Sequence, residues 1–110
     1  MPIEIPSFDI DIYLTMELQT FMRSLEQDHP PAVGPMLTAL WYDGKGDWDR
    51  AHYIVQDSSE IMASRIHAYL HRKEGDLGNA GYWYSRAGKN RPSCDLETEW
   101  QDLVEELISK

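Results

Sequence analysis

His67, His71 and Glu74 fall at positions i, i+4 and i+7 of one helical stretch, so their side chains share a stripe. Two histidines one turn apart are the spacing with which a helix holds zinc. His52, on the preceding helical stretch, adds a third imidazole. Together they make a candidate divalent-metal cluster of His52, His67 and His71, with Asp47, Asp49 and Glu74 close by. The glutamate that makes an H-E-x-x-H helix hydrolytic is missing, because Ala68, Tyr69 and Leu70 separate the two histidines. A metal-dependent hydrolase or acid–base enzyme would therefore use His67, His71 and Glu74 as its catalytic residues. The competing reading is structural: histidines on an inward face hydrogen-bond a neighbouring Tyr, Trp or carboxylate. No nucleophile motif and no pair of catalytic carboxylates accompanies them, which favours binding over catalysis.

The elements that carry these residues are written twice. Residues 39–53 read A-L-W-Y-D-G-K-G-D-W-D-R-A-H-Y and residues 68–82 read A-Y-L-H-R-K-E-G-D-L-G-N-A-G-Y. At an offset of 29 residues, Ala39/Ala68, Gly46/Gly75, Asp47/Asp76, Ala51/Ala80 and Tyr53/Tyr82 coincide without a gap. A fixed period of this size marks a stacked repeat. Gly46 and Gly75 suit the left-handed position just past a helix, and Asp47 and Asp76 then cap the next one. Alanines on both legs let the helices approach closely. Each copy is expected to be an antiparallel αα-hairpin, over residues 35–57 and 59–88. Gly78 and Gly81 inside the last repeat helix imply close packing there by another helix or by a partner.

This pattern resembles the tetratricopeptide and Sel1-like helical repeats. The second copy carries it further than the first, through Ala68, Gly75, Asp76, Ala80, Tyr84, Ala87 and Pro92. The stretch HAYLHRKEGDLGNAGYWYSRAG is also similar to small bacterial proteins with no assigned function. The resemblance implies an all-α, right-handed stack of about six helices with capping helices at both ends. It also implies an interaction module whose inner helices line a groove. In the second copy the groove positions are Met62, Arg65, Tyr69, Arg72 and Lys73; in the first they are Val33, Met36, Leu40 and Asp43. An apolar half beside a cationic half suits a protein partner or an acidic peptide, and the consecutive aromatics Trp41-Tyr42 and Tyr82-Trp83-Tyr84 suit self-pairing as a homodimer.

Flanking segments complete the expected fold. Leu14, Leu18, Phe21 and Leu25 follow helical spacing, predicting a helix over residues 9–27, although Phe8, Ile10, Ile12 and Leu14 also alternate as a strand would. Pro30, Pro31 and Pro35 break the chain before the first hairpin. Leu96, Trp100, Leu103, Val104, Leu107 and Ile108 form one apolar stripe, predicting a closing helix over residues 95–109 that covers the exposed face of the second hairpin. The net charge of −9 argues against nucleic-acid binding, although residues 61–91 hold six bases against two acids. The single Cys94 points to a reducing compartment. Residues 1–22 show neither a signal peptide nor a membrane span, so a cytoplasmic location is expected.

Overall fold

A computed structural model describes the backbone of residues 10–109 and the side chains of residues 17–109. The expectations for residues 8 and 9 lie outside that range. The described residues form six helices and no strand: α1 Ile10–Ser24, α2 Pro35–Gly44, α3 Trp48–Val55, α4 Ile61–Lys73, α5 Leu77–Arg86 and α6 Leu96–Ile108. The chain is therefore all-α over this range. From Ile10 onward the long helical stripe prevails over the short alternation, because it continues through Leu18 and Phe21, both buried. No described helix is long and apolar enough to cross a membrane.

Consecutive helices α2 and α3 pack on each other, as do α4 and α5. Each pair is joined by a three-residue turn, Lys45–Gly46–Asp47 or Glu74–Gly75–Asp76. The two turns match bond for bond. Asp47 N–H donates to Tyr42 O at 2.9 Å and Gly46 N–H to Asp43 O at 2.9 Å; Asp76 N–H donates to His71 O at 2.9 Å and Gly75 N–H to Arg72 O at 3.0 Å. This closes the last turn of each first helix and uses carbonyls that would otherwise lack partners. It requires a left-handed residue, and Gly46 and Gly75 have φ of +84° and +86°. The following aspartates then start the second helices: Asp47 Oδ1 accepts from Arg50 N–H at 3.1 Å and Asp76 Oδ1 from Asn79 N–H at 3.2 Å.

Ala39, Ala51, Ala63, Ala68 and Ala80 are fully buried, and beside them Leu40, Ile66, Leu70, Leu103 and Val104 make the core. Helix α6 extends beyond the α4–α5 pair. It packs on α1, α2 and α4, spanning the first helices of both helix pairs. Its apolar stripe needs a wide apolar bed, which α2 and α4 supply together. Trp100 anchors the helix to α2, donating its indole N–H to Leu40 O at 2.9 Å. Its ring faces Phe21 of α1 at 6.0 Å between centroids. At the end of α2, a Cβ on Gly44 would come within 2.9 Å of the tip of the Leu25 side chain just past α1, so that side chain would have to shift.

Of the two neighbours expected at Gly78 and Gly81, a helix is not found among the described residues, since nothing there lies within 4 Å of where their Cβ would stand. They lie on the solvent side of α5, and their flanking residues Leu77 and Tyr82 are exposed. The two classes of glycine should therefore respond oppositely to alanine in urea denaturation. Gly75→Ala forces a side chain into the left-handed region and should lower stability by about 1–2 kcal/mol. Gly78→Ala removes only backbone entropy and should raise it by up to about 1 kcal/mol.

Candidate metal centre

Helix α4 is buried along most of its length, and its face toward α3 carries His67 and His71, each about 95 % buried. His52 reaches the same place from α3 and is partly exposed. The three rings meet. Their centroids are 4.6 Å apart for His52 and His67, 5.2 Å for His52 and His71, and 4.8 Å for His67 and His71. One ring nitrogen from each lies within 4.8 Å of the other two.

Two tryptophans hold this arrangement. Trp48 stacks on His52 with centroids 4.8 Å apart, and its indole N–H donates to Leu70 O at 2.8 Å, fastening α3 to α4. Trp83 of α5 stacks on His67 at 4.0 Å. The Trp48–His52 stack is an i, i+4 pair on α3 and follows from spacing, whereas the Trp48–Leu70 bond and the Trp83–His67 stack join different helices and do not. The only hint was the density of aromatics around the two turns.

His71 is bracketed. Its Nδ1 lies 2.6 Å from Glu74 Oε1, and its Nε2 lies 3.3 Å from the amide nitrogen of Asn79. Carboxylate and amide ask for opposite roles of the two ring nitrogens: Nδ1 donates to Glu74, and Nε2 accepts from Asn79. Glu74 was visible in the sequence as the third member of the stripe. Asn79 was not, because it reaches His71 only across the Gly75 turn. A second trio, His71, Glu74 and Asp76, also gathers its donor atoms within 4.8 Å, but both carboxylates are exposed and Asp76 caps α5.

The electrostatics favour uncharged rings. Burial, followed by the neighbouring His52 and His71, pushes the His67 imidazolium down to about 4. Burial and then His71 lower His52, while Glu74 and Asp49 partly oppose the shift. A neutral imidazole keeps the lone pair that binds a metal. The donor set fits a borderline ion such as zinc. With bonds of about 2.0–2.1 Å and tetrahedral angles the donor nitrogens stand about 3.3–3.4 Å apart, so any pair near the 4.8 Å limit has to draw in by about an ångström or more.

The residues expected to line a peptide groove face α6 or α2. Tyr69 donates to Asp43 Oδ2 at 2.7 Å, and Lys73 to Asp43 Oδ1 at 2.9 Å. Arg72 bonds Glu99 at 2.7 Å and the Cys94 carbonyl, and Arg65 pairs with Glu106 beside Met62. Of the first-copy positions, Met36, Leu40 and Asp43 are buried, and Val33 remains at the rim. Asp43, Tyr69 and Lys73 also line a cavity of about 350 Å³ with Met22, Leu25 and Trp100. Sequence reading missed the acids Asp43 and Glu99 as partners. Their signal was the unequal charge of adjacent segments.

The lowered values of His67 and His52 set the sign of one pH effect. Below the ordinary histidine value of 6.5 the unfolded chain takes up protons that the folded chain refuses. Stability of chelator-treated protein should therefore fall as pH drops from about 6.5 towards 4, with no further loss from His67 below that. Urea midpoints at several pH values check this, and His67→Phe should flatten the fall between about pH 6.5 and 5.

No protein family, curated protein or solved structure matches the chain, so the chemistry of this site is read from its own geometry.

Proposed function

We propose that this chain is a two-copy helical repeat of the tetratricopeptide kind that binds a divalent metal ion, zinc or a close analogue, through His52, His67 and His71. One observation carries the reading: three imidazoles from two hairpins bring a nitrogen each to within 4.8 Å of the others in a tryptophan-walled site. A structural cluster of histidines would be expected to hydrogen-bond internally. His67 instead makes ring contacts alone among the described residues, stacking on Trp83 and His71 and meeting His52 edge to face.

The ligands explain what the ion would do. His52 belongs to α3, while His67 and His71 belong to α4. An ion shared by them is a clasp between the first hairpin and the second. Two copies are fewer than the three repeats that usually sustain a stack, so a clasp at their junction has a thermodynamic purpose. Three imidazoles leave a fourth tetrahedral position, reached past the partly exposed His52. The burial of His67 and His71 supports a structural or sensing ion rather than a hydrolytic one. The peptide-groove reading has less support, because Arg65, Arg72 and Lys73 already hold carboxylates of their own chain.

Untagged protein, stripped with chelator and dialysed against zinc or cobalt, should retain one equivalent per chain by elemental analysis. His52→Ala, His67→Ala and His71→Ala should each lose it. Free zinc at about one hundred times the dissociation constant should add about 2.7 kcal/mol to the stability of the wild type. Wild-type protein that retains no metal, or a triple variant that retains as much, would overturn the reading.

A further inference from the structure

Resting on that metal reading, we propose that Glu74 is the positioning residue of the site: it fixes the His71 ring with Nε2 as the metal donor, and Asn79 holds that nitrogen until an ion displaces it. The geometry is specific to His71. Of the three rings, it alone has both nitrogens engaged among the described residues, Nδ1 by Glu74 at 2.6 Å and Nε2 by Asn79 at 3.3 Å. A carboxylate cannot donate, so Nδ1 carries the proton and Nε2 the lone pair. Metal-ligating histidines characteristically give their other N–H to a carboxylate, which orients the ring and raises its basicity.

The two partners differ in strength. The bond to Glu74 is short and charge-assisted, whereas the amide contact is long and neutral. An approaching cation therefore keeps Glu74 and replaces Asn79: a coordinate bond forms at Nε2, and the amide rotates into solvent, where Asn79 is already exposed. Asp76 is the one other carboxylate gathered with this pair, and it is occupied by the Asn79 backbone N–H as the cap of α5. It cannot take over from Glu74 without uncapping that helix.

These roles predict opposite signs for two neighbouring substitutions. In zinc competition against a chromophoric chelator, Glu74→Gln should weaken binding about 10- to 100-fold, and Glu74→Asp should recover part of the loss. Asn79→Ala removes the competing donor and should bind zinc about 2- to 10-fold more tightly than wild type. Nitrogen-15 shifts of the His71 ring in metal-free protein at neutral pH should report the proton on Nδ1, a readout that a merely structural glutamate would not set. Unchanged affinity in Glu74→Gln, loss of binding in Asn79→Ala, or a proton on Nε2 would each overturn the proposal. Wild type that takes up no zinc would instead defeat the metal reading beneath it. If Glu74→Gln melts early, the ring shifts of the wild type and of Glu74→Asp decide the matter.

Discussion

The left-handed backbone at Gly46 and Gly75 is the constraint on which the other features depend. Without it, neither helix pair could close through three residues, and the capping aspartates would not reach the following helix. The consequence extends into the site. His71 O accepts the Asp76 N–H that closes the second turn, so the residue that anchors the turn is also a member of the histidine cluster. The same turn places Glu74 before Gly75 and Asn79 after it, on the two sides of one ring. A conformational requirement of the backbone thus arranges the surroundings of a side chain.

Two buried carboxylates organise the opposite face. Asp43, 2 % exposed, receives Tyr69 and Lys73 of α4. Glu99, 6 % exposed, receives Arg72 of α4 and Tyr84 of α5. Burial and then the adjacent carboxylates push both phenols well above the ordinary tyrosine range, so both remain donors. The hydrogen bond that Arg72 donates to Glu99 likewise holds its guanidinium in the charged form. Burying an ion pair gives little net stability, but leaving one partner alone is costly, so such pairs select one arrangement over its neighbours. Here Asp43 fixes α2 against α4, and Glu99 fixes where α6 sits along α4. Its apolar stripe alone would tolerate sliding.

The two faces of α4 therefore carry contrasting chemistry. Toward α2 and α6, each of the two buried acids meets a cation and a phenol. Toward α3, three imidazoles meet one another and two indoles, with Glu74 and Asp76 at the rim. A set of lone pairs gathered away from any strong donor is a poor way to stabilise a fold and a good way to hold a cation.

Much of this was legible before any coordinates. Gly46, Gly75, Asp47 and Asp76 announce turns and caps because those conformations are local and only a few residue types adopt them at low cost. The helices follow from the apolar stripes, and the i, i+4, i+7 spacing put His67, His71 and Glu74 on one side of α4. What the chain could not reveal locally is what lies across from each stripe. The stripe of α6 reads the same whether it covers one hairpin or spans two; the decision came from Trp100 reaching Leu40 and from the acids reaching α4. Which acid meets which base was decided by the fold, when Glu106, Glu99 and Asp43 were brought to Arg65, Arg72 and Lys73. His52 was only a suspect until Trp48 held it against α4, Trp83 was known only as one of several clustered aromatics, and Asn79 gave no signal at all. The sequence by itself determined the helices, their turns and the histidine stripe, since these follow from bonds within a few residues. The tertiary structure decided which faces met and which imidazoles converged, because those contacts join residues far apart in the chain and depend on how the helices pack.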